Sequence, residues 1–234
     1  MSELHTVAPD TALARLIADA GADWRRFTRH RFVEQLAAGT LDAAAFRYYL
    51  VQDYRFLVHF SRAWALVAVK SEDVEDIRSA AALVHTLIDE ELELHIRTCA
   101  GWGLSPDQLK TTAEDPANAA YTRFVLERGF TGDVADLLVA LMPCVVGYAE
   151  IGFRLASDPA TKRLGNTYDA WIATYAGDAY QSGAAAAAAQ LERVLAHRLG
   201  EEPWTHPRWA ALAATFTTAT RLEIGFWEMG LAAR

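Results

Sequence analysis

The stretch Gly132–Ala156, GDVADLLVALMPCVVGYAEIGFRLA, decides how the rest of the chain is read. Its apolar residues recur at helical spacing, so it predicts a buried or half-buried helix. Three features are foreign to a plain core helix. Pro143 sits inside the pattern, where it removes a backbone donor and favours a kink. Cys144 follows it, with Tyr148 four residues on and therefore on the same face. Glu150 interrupts the apolar run, and a carboxylate there needs a partner or water. The plain reading of Cys144 is a small hydrophobe in a core. The other is a working thiol.

Outward from this helix the pattern stays helical. In residues 10–39, Thr11, Leu13, Leu16, Ile17, Trp24, Phe27, Phe32 and Leu36 predict one helical segment, closed by Gly39. Thr40 or Asp42 is placed to cap the next helix, about 42–70. That helix carries FRYYLVQDYRFLVHFSRAW, with Asp53 inside an aromatic run. Tyr49, Asp53 and Phe56 are spaced i, i+4, i+7 and share a face. Residues 73–100 predict a helix in which Glu91 and His95, four apart, can touch. Gly101, Gly103 and Ser105-Pro106 mark a loop. A short helix at about 106–112 and another at Asn118–Arg128, holding Tyr121, lead to the central helix, which Asp158-Pro159 ends.

Tyr168–Tyr180, YDAWIATYAGDAY, is aromatic and helical with a bend at Gly177. The alanine run at 184–189 predicts helix rather than disorder. Gly200–Pro207 is a turn. A last helix, Arg208–Leu231, sets Glu223, Phe226 and Trp227 at i, i+3, i+4. No strand pattern, fixed repeat or linker composition emerges. The expectation is one all-α domain over 1–234, of about eight helices.

Composition narrows the function classes. The chain has 234 residues, 52% hydrophobic and 22% charged, which is enough apolar surface for a substantial core. Its net charge of −8 comes from 30 acidic against 22 basic side chains with no basic block, which argues against a nucleic-acid partner. The start, MSELHTVAPDTALARL, lacks a basic segment followed by an apolar core, so no signal peptide is expected. The run Leu137–Ala149, bracketed by Asp136 and Glu150, is short for a bilayer, and no membrane partner is expected. Two cysteines, Cys99 and Cys144, make no disulfide scaffold. A cytoplasmic protein with free thiols is the simpler reading.

Asp53, Cys144 with Tyr148, and Glu223 interrupt apolar or aromatic stretches of different helices. Facing one another they would form a polar pocket with aromatic walls, suited to a flat ring. A thiol beside carboxylic acids implies proton transfer between them or to the ligand.

FRYYLVQDY (46–54), ELELH (91–95), LMPCVVGYAEIG (141–152), YDAWIATYAGDAY (168–180) and LEIGFWEMG (222–230) stand in the order of a known family. Through them the chain resembles TenA, the thiaminase II / aminopyrimidine aminohydrolase family, over about residues 20–231. The resemblance implies a haem-oxygenase-like helical bundle without haem, a homotetramer and a place in thiamin salvage. The implied ligand is an aminopyrimidine or thiamin. By the same resemblance Cys144 is the nucleophile that adds to the pyrimidine ring, and Glu223 the nearby acid/base. Asp53 is the carboxylate that holds the aminopyrimidine. Tyr121, Tyr148 and Tyr175 are pocket tyrosines, Phe226 is an aromatic wall, and Tyr49 and Phe56 complete the substrate contacts. Cys144 places the chain with the cysteine-bearing branch. One departure stands out: Phe56 occupies a position where many members have Tyr, so a hydroxyl that could orient the site is missing.

Other readings stay open beside this one. Cys99 reads as structural. Glu91 and His95 are either a metal pair, since helical bundles carry carboxylate–histidine sites, or a satisfied core or subunit-interface pair. A second ligand cluster near 175–180 would need a histidine, and TYAGDAY has none, so no metal or other cofactor is expected. Trp171 and Trp227 read as core. Three function classes remain: an aminopyrimidine hydrolase, a metal-dependent oxidase of the same fold, and a non-catalytic pyrimidine-binding regulatory protein.

Overall fold

The computed structural model of the protein describes residues 10–233. The N-terminal stretch read for a signal segment lies partly outside them. Twelve α-helices follow one another among the described residues, and no strand occurs there. They are α1 (Ala12–Ala20), α2 (Ala22–Thr28), α3 (Arg31–Ala38), α4 (Ala43–Lys70), α5 (Val74–Thr86) and α6 (Glu93–Ala100). Then come α7 (Pro106–Thr111), α8 (Pro116–Thr131), α9 (Val134–Ser157), α10 (Asp169–Ala176), α11 (Asp178–Leu199) and α12 (Trp209–Ala232).

The excess over the expected eight has identifiable causes. The segment expected as one helix over 10–39 is three. Gly21, at φ 56°, ends α1 in a backbone conformation that side chains disfavour. His30 opens α3 by accepting the Phe32 amide on Nδ1, 3.2 Å away, a cap outside the usual Ser/Thr/Asp/Asn set. Gly39 closes α3 in the left-handed region, as its position predicts. Asp42, rather than Thr40, caps α4 through the Ala44 amide at 2.7 Å. The helix expected over 73–100 is interrupted by a π-helical stretch, Leu87–Leu92, between α5 and α6. Gly177, extended at φ −69° and ψ 151°, separates α10 from α11, and the alanine run lies inside α11.

The chain divides into two compact units, each built from two stretches of sequence. One comprises the residues up to Leu41 together with Leu138–Ile224; the other comprises Asp42–Leu137 and the residues from Gly225 on. In the first, α1 packs on α11, and α11 on α10. Glu192 of α11 accepts the amides of Ala12 and Leu13 at 3.0 and 2.8 Å. A carboxylate there satisfies donors that the first turn of α1 leaves open and complements its dipole. In the second, α4 is the organising element, packed against α5, α6, α7, α8 and the π-helical stretch.

α9 is 24 residues with Pro143 inside it. Its length and composition would suffice to cross a membrane, contrary to the shorter apolar run read from sequence. Its most apolar window is 83% buried within the protein, as in a core helix.

Candidate functional site

Seven of the nine predicted residues fall into two groups, five in one unit and two in the other. The first is built on α4. Tyr49, Asp53 and Phe56 point into the unit's interior, at most 4% exposed. The Tyr49 hydroxyl donates to Asp53 Oδ2 at 3.2 Å. His95 of α6 reaches the same oxygen with Nε2 at 2.7 Å, while its Nδ1 lies 2.8 Å from the Glu91 backbone oxygen. His95 itself is 2% exposed. Glu91 therefore meets His95 through its carbonyl, and both ring nitrogens are engaged with oxygen.

Burial alone would pull the His95 pKa down. The Asp53 hydrogen bond and charge, with the nearby Glu91, more than offset this and hold it above its ordinary value. The pair is thus a buried imidazole hydrogen-bonded to a carboxyl oxygen, and that bond favours the charged form of the ring. Cys99 lies one turn beyond His95 on α6, fully buried. Burial pushes its thiol up to about 11, against the lowering influence of Arg47. A thiol held neutral in this way is a poor nucleophile, which agrees with a structural role.

Aromatic rings close around this pair. Phe56 stacks on Phe60 at 5.1 Å and meets Tyr121 at 5.0 Å and Phe226 at 5.5 Å. Tyr49 meets Phe226 edge-on at 5.9 Å and Trp227 at 5.3 Å. Five of the predicted residues (Tyr49, Asp53, Phe56, Tyr121 and Phe226) are therefore in one connected group, and His95 is an addition to it. A neighbouring network ties α4 to the start of α8. Gln52 Nε2 donates to the Ala113 carbonyl at 3.0 Å, and Asn118 Nδ2 donates to the Gln52 carbonyl at 2.8 Å.

The second cluster is built on α9. Tyr148 packs against Tyr175 at 4.9 Å, Trp171 at 5.9 Å and Phe27 at 6.3 Å. Tyr175 in turn meets Trp171 at 4.5 Å and Tyr180 at 4.8 Å. Two glycines of the GYAEIG motif permit these approaches. A Cβ on Gly147 would lie 2.1 Å from the Phe27 ring, and one on Gly152 would lie 2.4 Å from the Tyr175 carbonyl carbon. Gln181 locks the same corner, donating to the carbonyls of Tyr175 and Ala149 at 2.7 and 3.0 Å. Glu150 finds its partner in the Trp24 indole N–H at 2.7 Å.

Cys144 lies on α9 one turn before Tyr148. From Leu137 to Gly152 it is the one position that is half-buried rather than buried. Glu223 lies on α12, 1% exposed.

Three features of these clusters were not read from sequence. Asp53 and His95 are 42 positions apart, and Trp24 and Glu150 are 126 apart. The signal available was a charged or polar residue in each apolar run; nothing local named its partner. The close-packing role of Gly147 and Gly152 was visible only as two small residues beside Tyr148 and Ile151.

Residues 18–233 match the model of the TENA/THI-4/PQQC family. A Haemophilus influenzae protein described as uncharacterized is 37% identical over 219 residues, 94% of this chain and 98% of its own length. An aminopyrimidine aminohydrolase of Halalkalibacterium halodurans is 29% identical over 218 residues, 92% of this chain and 93% of its own. The crystal structure of a TenA family transcription regulator from Silicibacter sp. TM1040 has a TM-score of 0.92 and 50% identity, covering 99% of this chain and 100% of that one. A Shewanella denitrificans domain with a haem-oxygenase-like fold has a TM-score of 0.63 at 13% identity, covering 94% of this chain and 91% of that one. That last likeness is one of fold alone, and it gives the all-α architecture its name.

Proposed function

The chain belongs to the TENA/THI-4/PQQC family, and from that premise we propose that it is a thiamin-salvage hydrolase acting on an aminopyrimidine through Cys144. The observation that carries this reading is the contrast between the two thiols. Cys144 is partly exposed in an otherwise buried stretch of α9, while Cys99 is sealed in the core and held neutral. The 29% identical aminopyrimidine aminohydrolase supplies the substrate class.

In this reading the substrate is 4-amino-5-aminomethyl-2-methylpyrimidine, or thiamin. Asp53 takes the ring nitrogen and exocyclic amine, with Tyr49, Phe56, Tyr121 and Phe226 as aromatic contacts. Tyr148 and Tyr175 stack on the ring or hydrogen-bond to it. The Cys144 thiol passes its proton to Glu223 as the sulfur bonds to a ring carbon, and the exocyclic C–N bond breaks. With the aminomethyl substrate the amine leaves with that proton; with thiamin the thiazole leaves as a neutral ring. Water adds to the exocyclic carbon, and the ring–sulfur bond breaks, returning the thiol and the hydroxymethyl product. Glu223 takes the proton that water releases on adding, and returns it to the sulfur. The active assembly in this reading is a homotetramer, which light scattering of the purified protein checks.

The test compares turnover of both compounds by wild type, Cys144→Ala, Glu223→Gln and Cys99→Ala, all confirmed folded. Cys144→Ala should abolish turnover. Glu223→Gln should slow it by about 10²–10⁴. Cys99→Ala should stay near wild type. A folded Cys144→Ala that keeps most of its activity defeats the assignment. Wild type that binds an aminopyrimidine without converting it moves the reading to regulation, the role named in the description of the 50% identical structure.

A further inference from the structure

We propose that His95 is a positioning residue for this site. It holds Asp53 by Oδ2, so that the carboxylate meets the aminopyrimidine ionised and in one orientation. The proposal rests on the reading of Asp53 as the pyrimidine's carboxylate.

The argument is one of hydrogen-bond roles. The Glu91 carbonyl can accept but not donate, so His95 Nδ1 must carry a proton to bond it at 2.8 Å. That fixes the ring's orientation and leaves Nε2 facing Asp53 Oδ2 at 2.7 Å. One proton lies between them. The Tyr49 hydroxyl donates to that same Oδ2 at 3.2 Å, which favours the charged carboxylate and so places the shared proton on the imidazole. The raised His95 pKa agrees with this. The anchor is itself unusual: Glu91 belongs to the π-helical stretch Leu87–Leu92, and such stretches recur at functional sites.

Both protein bonds to Asp53 thus fall on Oδ2. A substrate whose ring nitrogen carries a proton would then donate that N–H and an amine N–H to a carboxylate whose charge and rotation are already set. Loss of the imidazole would leave the carboxylate free to rotate about its last bond and less charged in its buried setting.

The experiment is a double-mutant cycle on His95→Gln and Asp53→Asn. It reads kcat/KM together with calorimetric affinity for 4-amino-5-hydroxymethyl-2-methylpyrimidine. A group acting only by holding another should cost about tenfold to a hundredfold, as for residues that orient ligands from behind. In the Asp53→Asn background the further loss should vanish. A folded His95→Gln within twofold of wild type overturns the role. So does a loss that multiplies in the double variant, which would mark a merely structural contribution.

Nitrogen-15 NMR of histidine-labelled wild type gives a reading independent of any variant's folding. Both His95 ring nitrogens should be protonated at neutral pH, and an unprotonated Nε2 overturns the proposal. Wild type that neither binds nor converts an aminopyrimidine overturns the functional reading, and this role with it. Wild-type binding with an indifferent His95→Gln overturns the role alone.

Discussion

The two clusters reach burial by different physics. Around Asp53 the interior is polar: the His95 imidazole and the Tyr49 phenol meet at one oxygen of the Asp53 carboxyl group, with rings packed outside them. Around Tyr148 the interior is steric: glycines let Phe27 and Tyr175 approach α9 more closely than any side chain would allow. The first depends on its hydrogen-bonded polar groups. The second holds Glu150, which accepts from the Trp24 indole and faces the charge of Arg154, but its rings and glycines leave no room for an added atom. A site that recognises a polar ring needs fixed charge; a helix that presents a thiol needs fixed position.

The steric cluster should show the largest loss. Gly152→Ala puts a methyl 2.4 Å from the Tyr175 carbonyl carbon, which is backbone and cannot swing aside. Overpacking of this kind costs about 1–3 kcal/mol, with backbone clashes at the upper end. Urea unfolding should show that loss, together with reduced activity if α9 and α10 separate. An unchanged midpoint would mean that the close approach is not a tight one.

The polar cluster should respond to charge. Asp53→Ala leaves a buried imidazolium alone, a situation that costs about 3–5 kcal/mol when the charge is trapped. Imidazole can shed its proton, so the expected cost is lower, about 2 kcal/mol, the scale of an unmet buried hydrogen-bonding group. The pH dependence distinguishes the cause. His95 has a raised pKa in the folded protein, so its pairing energy is fully present below the unfolded value near 6.5. It is lost as pH rises through the folded value. Wild-type stability should therefore fall as pH rises above about 6.5 and through the folded value, by an amount that His95→Gln does not show. Equal slopes in the two proteins would place the shared proton elsewhere.

The contrast also explains what the sequence could reveal. Boundaries with local causes were legible: Gly39 in the left-handed region, Asp42 on the Ala44 amide, and Gly177 between two helices. So was the oddity of isolated positions, because Asp53 and Glu223 interrupt apolar runs and are buried there. The break at Gly21 was hidden by continuous periodicity across it. The cap at His30 was hidden because imidazole is an uncommon capping group. The π-helical turn before His95 has no local marker. The partners of Asp53 and Glu150 are chosen by tertiary packing, so local pattern says that a partner is needed and not which. Exposure is equally non-local. Nothing around Cys144 in the sequence distinguishes it from its buried neighbours, yet it alone in that stretch is partly exposed.

The smallest expected effect has the opposite sign and sharpens the same contrast. Gly225 lies inside α12, in the unit that carries Asp53, and a Cβ there would meet nothing within 4 Å. It borders a cavity of about 490 Å³ lined by Tyr48, Asp115 and Glu228 among others. Helical glycine costs about 0.5–1 kcal/mol relative to alanine, because its unfolded backbone is freer. With no clash to offset that gain, Gly225→Ala should stabilise the protein by about that amount. Gly225 and Gly152 are both helical glycines, so the same substitution should raise one unfolding midpoint and lower the other. A loss at Gly225 would show that its open space is occupied in solution, by a ligand or by a second copy of the chain. Comparing the loss across protein concentrations separates these two, since only self-association depends on concentration.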